Sequence, residues 1–520
     1  MAAAAPVLLV LARLFPAEGV GLALRLSAAS ACVLLVPGAL LLRAVAWPAS
    51  FALAATGSLA LSLAVLFLAF AVTFAVDGTL SVTLALVAAG PLAALVPAIR
   101  AKTAETDRRE LLAGMAVLAS GLVFGGLVWW SAAALGTGDV LFHLARVRKL
   151  AEADVLASLA VANEFRDGGL HPGYAFPLWH GAVALVARLA GVDASLAVLH
   201  LPAILTPLAL LVAYAAGAAL FRSWAGGVAA LAAQVAQLGF ARSGTTGSFA
   251  SLSLPSSLTR VVLVPALLAF AFAFLHAGSR RLLVPLAAAA LAVAVVHPTY
   301  LIFAAIPLAG FGLAWLAVRR SRTELRRAAF VFSAILLPAG LFLVWLLPVV
   351  TSTVSHSPSP AEKERALAHY GDQVQVLGET YRAAPEAITR TGAAVVAGLA
   401  VLPLLGLAGR RLWALFSLAG SLLVLAILLV PELFTRFSDL VSLSQSRRLA
   451  QFLPIPFMLA GAAVVLGRFR LAAVLAALAA GIALQRLYPG EFTHDVAQGG
   501  PTWPLWVAVV GGSLALAAVI

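Results

Sequence analysis

Long apolar runs, separated by short polar stretches, fill almost the whole chain. A membrane-spanning helix needs about 20 consecutive apolar residues, and runs near that length recur throughout the sequence. The pattern predicts an all-α polytopic membrane protein with about 15 transmembrane helices. The candidate runs are residues 20–43, 50–76, 79–99, 112–133, 197–221, 224–240, 258–276, 282–296, 299–317, 328–350, 391–407, 412–431, 448–466, 471–487 and 504–520.

Composition supports the same class. Hydrophobic residues make up 63% of the 520 residues, charged residues make up 11%, and the mean hydropathy is +1.05. A soluble globular chain is about half apolar and a quarter charged, so nucleases, transcription factors and cytosolic dehydrogenases are excluded. The net charge of +13 comes from basic residues scattered between apolar runs, which indicates contact with membrane lipids and no nucleic-acid partner. Cys32 is the single cysteine, so we expect neither a disulfide framework nor a cysteine metal site.

Basic residues collect in short loops, and such loops usually face the cytoplasm. The apolar spans alternate from residue 112 onward if segment 177–190 is not a span, and its 14 residues are fewer than a span needs. We predict that this segment is an amphipathic helix on the outer membrane surface. The segments left on the outside are 134–196, 241–257, 351–390, 432–447 and 488–503. Most acidic residues and histidines fall in or near them, so we expect an active site on the outer face of the cytoplasmic membrane.

Four regions follow from this topology. Residues 1–111 form N-terminal transmembrane helices of unknown role, and 112–350 form a transmembrane core that contains the outer loop 134–196. Residues 351–390 form a second outer loop, irregular at its Ser/Pro-rich start and helical in composition over 361–382. Residues 391–520 form the C-terminal transmembrane helices.

The first outer loop carries the densest candidate chemistry. Asp139, His143 and Arg146 are spaced i, i+4 and i+7, so they share one face of a predicted helix and point into one water-filled space. A helix N-cap is the structural alternative for Asp139. For Arg148 and Lys149 we favour contact with lipid headgroups. Glu164 fits a solvated turn as well as it fits a site.

A span, an outer loop opened by an acidic residue, a proline-containing apolar segment and the span LHLPAILTPLALLVAYAAGAALF (199–221) follow one another along the chain. This arrangement resembles the GT-C glycosyltransferases, among them protein O-mannosyltransferases, lipid A aminoarabinose transferases and actinobacterial cell-wall arabinosyl and mannosyl transferases. The resemblance covers about residues 112–240 and implies that Asp139, the acidic residue of the first outer loop, is catalytic. His200 stands where the family usually has arginine. Segment 241–257 has no carboxylate for the family's second acidic site, so Glu164 or a residue of 351–390 stays open for that role.

The chemistry that the resemblance implies is sugar transfer from a polyprenyl-phosphate donor to a glycan, lipid or protein acceptor of the cell envelope, with inversion at the anomeric carbon. Such a reaction needs a base for the acceptor hydroxyl, for which we choose Asp139. It also needs a cation for the departing phosphate, for which Arg447 and Arg448 are our first choice and Arg260 the second. The alternative for the arginine pair is contact with anionic lipid headgroups. His297 is an accessory candidate, although a proline turn also explains His297-Pro298.

An alternative use of Asp139, His143 and Glu164 is to hold a divalent cation, but two ligands on one helix do not define a metal site, so we assign no metal or cofactor. Two other classes remain open. A transporter or lipid-linked-glycan flippase would place ionisable residues near the bilayer midplane, where this chain has few. A polysaccharide polymerase or ligase also uses lipid-linked sugars and outer-loop arginines, and a passive scaffold is the remaining option.

Overall fold

The computed structural model describes residues 4–44, 50–100, 107–132, 139–152, 173–239, 247–351, 358–389, 392–467 and 500–520, with isolated helical positions at 472, 479–480 and 483. Within these residues, nine helices are long and apolar enough to cross a membrane, or up to ten if the bent pair Gly19–Leu34 and Val36–Ala44 is one span. The protein is therefore a multi-pass, almost entirely helical membrane protein.

The expected number of about 15 spans is not confirmed, because the described residues contain nine, or up to ten, helices of sufficient length. Three of the predicted spans are short apolar helices in the structure, at Trp224–Leu238, Ala393–Ala408 and Trp503–Val519. A fourth, Leu283–Val296, has only 14 residues, because Pro298 disfavours helical backbone at His297, whose φ is −153°. The predicted span 471–487 lies mostly outside the described residues.

The helices group into two compact units. Unit 1 comprises the described parts of residues 1–219, 249–300 and 330–349, and unit 2 comprises those of 220–248, 301–329 and 350–520. Helices mostly in unit 1 are α1 Ala4–Ala12, α2 Gly19–Leu34, α3 Val36–Ala44, α4 Phe51–Ala75, α5 Leu80–Arg100, α6 Arg108–Ser131, α7 Asp139–Glu152, α8 Leu178–Ala190, α9 Ala194–Phe221, α11 Pro255–Leu258, α12 Val264–Ala277, α13 Leu283–Val296 and α15 Arg322–Thr351. A π-helical turn, Thr259–Leu263, joins α11 to α12.

Helices mostly in unit 2 are α10 Trp224–Gly239, α14 Pro298–Arg319, α16 Pro360–His369, α17 Pro385–Thr389, α18 Ala393–Val401, α19 Leu412–Leu429, α20 Pro431–Val441, α21 Leu443–Ser446, α22 Ile455–Leu466, α23 Trp503–Trp506 and α24 Gly512–Val519. The strands β1 Val374–Leu377 and β2 Thr380–Ala383 pair antiparallel, with Val374 opposite Ala383. Tight 3₁₀ segments at Leu402–Ala408 and Arg447–Phe452 lead from α18 towards α19 and from α21 towards α22.

Glycines bring two helices of unit 1 into close contact. A Cβ atom at Gly121 of α6 would lie 2.6 Å from the Pro207 Cα of α9, and one at Gly125 would lie 2.6 Å from the Ala203 carbonyl oxygen. Small residues four apart on one helix allow backbones to approach in this way within a membrane, where packing rather than the hydrophobic effect holds helices together.

Helix α8 corrects the expectation of a helix on the outer membrane surface. Eleven of its residues, including Trp179, His180 and Ala187, are buried in the protein. It packs against α2, α4, α7 and α13. In its sequence, LWHGAVALVARLA, His180 and Arg188 are the polar side chains, and Arg188 stays exposed near the end of the helix, so the apolar remainder can pack against protein.

The second predicted outer loop contains more than a helix. Helix α16 begins with a capping box, in which Ser359 and Glu362 exchange hydrogen bonds, and it ends at His369 rather than continuing to residue 382. The next residues form the β1–β2 hairpin, whose turn uses Gly378 at φ +65°. Thr435 of α20 accepts a hydrogen bond from the Tyr381 amide at 3.0 Å, and this bond ties the hairpin to the helix.

Candidate functional site

Helix α7 holds the predicted catalytic residues. Asp139 is its first residue and is exposed, whereas His143 and Arg146 are buried. The spacing predicted that the three residues share one water-filled space. Instead, two of them are buried and only Asp139 is exposed. The apolar side of α7, formed by Leu144, Val147 and Leu150, is buried together with His143 and Arg146, because the helix packs on α8.

His143 belongs to a group of side chains that we call the histidine cluster: the buried His143, Arg146, His180 and His297, and the half-buried Tyr174. The His143 Nδ1 and His180 Nε2 atoms lie 2.8 Å apart, so one imidazole donates a hydrogen bond to the other. The Tyr174 ring stands nearly perpendicular to the rings of His143, His180 and His297, at centroid distances of 5.0, 5.6 and 6.3 Å. Edge-to-face contacts of this kind fix the orientation of all three imidazoles.

Arg146 brings a positive charge into the same cluster. Only 2% of its surface is exposed. Its Nη2 donates a hydrogen bond to the Tyr174 carbonyl oxygen at 2.7 Å, and its guanidinium carbon lies 5.7 Å from the ring centroids of Phe142 and Tyr174. A buried cation is costly unless it is hydrogen-bonded, so these contacts hold the Tyr174 segment and α7 in one fixed arrangement.

His297 and Arg260, both predicted from sequence as site residues, also lie in unit 1. His297 stacks on Tyr300 with a centroid distance of 3.7 Å. Arg260 is half-buried within the π-helical turn between α11 and α12. Such turns are rare and occur frequently at functional sites.

The predicted phosphate ligands lie in unit 2. Arg447 and Arg448 open the 3₁₀ segment that follows α21, and both are half-buried. The Arg447 Nη1 donates a hydrogen bond to the Gln373 Oε1 at 2.6 Å, and its guanidinium lies 4.4 Å from the Tyr370 ring centroid. Stacking on an aromatic ring orients the guanidinium, so its remaining N–H groups keep a fixed direction.

Three further predictions concern Glu164, a metal site and Arg148. Glu164 lies outside the described residues. Among the residues that the structure describes, no three His, Cys, Asp or Glu side chains converge to hold a metal ion. Arg148, for which we expected lipid contact, donates a hydrogen bond to the Asp193 Oδ1 at 2.7 Å.

Asp193 itself accepts hydrogen bonds from the Ser195 hydroxyl and from the Ser195 amide. These two bonds, together with the Arg148 guanidinium, hold the pKa of the Asp193 carboxyl below its ordinary value. The ion pair links the exposed side of α7 to the start of α9.

Several residues of these arrangements were missed in the sequence. Tyr174 and His180 lie in the stretch GYAFPLWH, where a histidine within an otherwise apolar helix was a signal for a buried polar contact. Tyr370 and Gln373 follow α16 and gave no signal of their own, because only the fold brings them to Arg447.

Comparison with known proteins gives a family but no function. No curated protein and no solved structure matches the chain. One family model, described as a family of unknown function (DUF6541), matches residues 31–520. Because the match covers most of the chain, the protein belongs to this family, DUF6541.

Proposed function

We propose that the protein is a membrane glycosyltransferase that moves a sugar from a polyprenyl-phosphate donor to an acceptor hydroxyl on the outer face of the cytoplasmic membrane. The observation that carries the proposal is an exposed carboxylate, Asp139, on a helix whose next two turns are fixed by buried polar contacts of His143 and Arg146. The resemblance of residues 112–240 to GT-C glycosyltransferases supports the same role for Asp139.

In the proposed reaction Asp139 takes the proton of the acceptor hydroxyl. The acceptor oxygen then forms a bond to the anomeric carbon, while the bond from that carbon to the phosphate oxygen breaks. The phosphate leaves with the electron pair, and the sugar inverts because attack and departure occur on opposite faces. His143 and Arg146 do not touch the substrate in this scheme; they position α7, and through it Asp139.

The departing polyprenyl phosphate needs a cation. Arg447 and Arg448 are the proposed ligands, because a stacked guanidinium presents N–H groups in the fork that phosphate oxygens accept. Arg260 is the second candidate, for its place on a π-helical turn.

The test is turnover of labelled polyprenyl-phosphate sugars by the purified protein in detergent, followed as loss of donor and appearance of free polyprenyl phosphate. Asp139→Asn should lower the rate at least about 100-fold, the usual contribution of a general base. Glu152→Gln is the matched control, because Glu152 is an exposed carboxylate at the other end of α7. Full activity of Asp139→Asn, or no turnover of any donor by the wild-type protein, would reject the proposal.

A further inference from the structure

Unit 2 contains a pocket that the proposed reaction does not use. Its volume is about 600 Å³, and it lies between α16, the β1–β2 hairpin, α20 and the start of α21. Volumes of this order are typical of small-molecule sites. The residues that define its chemistry are Lys363, Tyr370, Tyr381, Ser438, Asp439 and Ser442.

The lining of the pocket does not collect positive charge. Lys363 Nζ lies 3.5 Å from the Asp439 Oδ1 and 5.2 Å from the Tyr381 ring centroid. Glu362 adds a second carboxylate to the lining. A site for a polyanion collects positive charge, so this pocket suits a neutral ligand that both donates and accepts hydrogen bonds.

Ser438 supplies the observation that points to a ligand. The side chain lines the pocket and is 2% exposed. Among the described residues, none offers its Oγ a hydrogen-bond partner. Buried hydroxyls in proteins are nearly always hydrogen-bonded, so a ligand that draws this side chain towards the pocket would supply the bond that the described residues do not.

Ser442 shows that the pocket wall is held in a costly conformation. Its φ is 77° and its ψ is 152°, a region of backbone space that is essentially reserved for glycine. The strain places Ser442 at the pocket, with its Oγ 3.2 Å from the Ser444 Oγ. Strained backbone of this kind clusters at ligand-binding sites.

We infer that this pocket binds a short neutral saccharide. Sugar hydroxyls donate to a carboxylate such as Asp439, accept from an ammonium such as Lys363, and do both with serine and tyrosine hydroxyls. Tyr370, which is half-buried, adds aromatic surface that the apolar face of a sugar ring covers. The assignment stands on the pocket alone and does not depend on catalysis by Asp139.

The test is direct binding to the full-length protein in lauryldimethylamine oxide, because detergents with sugar headgroups would compete. The probes are the methyl glycosides of mannose, glucose, galactose and arabinofuranose, with inorganic phosphate and glucose 6-phosphate as anionic comparisons, followed by saturation-transfer NMR and calorimetry. At least one neutral glycoside should bind. Binding of the anionic probes alone, or of none of them, would overturn the inference.

Two variants separate a ligand role from a structural one. Ser438→Ala should weaken glycoside binding about tenfold and leave the melting temperature unchanged or higher, because it removes a buried hydroxyl to which none of the described residues offers a hydrogen bond. Ser417→Ala is its control, since Ser417 Oγ on α19 is likewise buried, has no partner among the described residues and lies away from the pocket. Asp439→Asn should also weaken binding about tenfold, and Glu432→Gln on the same helix should not. Unchanged glycoside binding by Ser438→Ala and Asp439→Asn would contradict the inference.

Discussion

The histidine cluster of unit 1 and the pocket of unit 2 both combine a cationic side chain with tyrosine, but they differ in how far their polar groups are exposed. In the cluster, His143, Arg146, His180 and His297 are each at most 5% exposed, and the side chains contact one another. In the pocket, Lys363 and Asp439 are 39% and 61% exposed, and a buried hydroxyl at Ser438 lacks a partner among the described residues. A polar cluster whose members contact one another holds helices in place, whereas an open one with an unused hydroxyl is built to receive a ligand.

The largest expected effect tests whether the cluster is structural. His143→Ala and His180→Ala should each cost about 2 to 3 kcal/mol of unfolding free energy, because each leaves the other imidazole buried without its bond. In a double-mutant cycle the pair should show a coupling of about 1 to 3 kcal/mol. The measurement is denaturant unfolding in mixed micelles, followed by tryptophan fluorescence.

The matched cycle uses Lys363→Ala and Asp439→Ala. This ion pair is exposed, so its coupling should stay below about 1 kcal/mol. Equal couplings in the two cycles would remove the distinction between a closed cluster and an open pocket.

The cluster also marks the limit of sequence-based prediction. Hydropathy located the nine long apolar helices of the described residues, because each has at least 18 residues, which is long enough to cross a bilayer. It misjudged α8, since a 13-residue apolar helix looks the same whether lipid or protein surrounds it. Only the packing of α2, α4 and α7 around α8 decides that its environment is protein.

The candidate site was predictable to a similar degree. Periodicity correctly placed Asp139, His143 and Arg146 on one helix, but it does not contain the information that α8 buries the latter two and leaves Asp139 exposed. Arg447 stood out as a cation entering an apolar run, yet its partners Tyr370 and Gln373 lie more than 70 positions earlier in the chain. Contacts of such long range depend on the fold and leave no local pattern.

The next largest expected effect is on donor binding, and it compares a pair of basic residues in unit 2 with a pair in unit 1. Replacing Arg447 and Arg448 together by alanine should weaken binding of a labelled polyprenyl-phosphate sugar at least about tenfold, because the two half-buried arginines that we propose as phosphate ligands are lost. Replacing Arg148 and Lys149 on α7 should change binding little, since Arg148 is engaged with Asp193 and Glu152. The measurement is equilibrium binding of the labelled donor to purified protein. Equal losses for both pairs would indicate general attraction of anionic lipid by surface charge.

The smallest effect concerns two exposed carboxylates, Asp193 of unit 1 and Asp439 of unit 2. Asp193 accepts three hydrogen bonds, two from Ser195 and one from Arg148, whereas Asp439 has one ion pair at 3.5 Å. The pKa of Asp193 is lowered in the folded protein, so its stabilisation is complete above the ordinary aspartate value of about 3.9. It is lost as the pH falls through the lowered folded value.

Asp193→Asn should therefore destabilise the protein at pH 7, by no more than about 1 kcal/mol because the group is half exposed. The difference from wild type should shrink as the pH approaches 3, where the wild-type carboxyl begins to take up its proton. Asp439→Asn should cost less at pH 7, since fewer donors are lost. The measurement is the unfolding free energy of the three proteins between pH 7 and pH 3. If the loss of unfolding free energy in Asp193→Asn does not change with pH, the loss does not come from the charge of the carboxylate. If Asp439→Asn loses as much unfolding free energy as Asp193→Asn, the hydrogen bonds from Ser195 add nothing to stability.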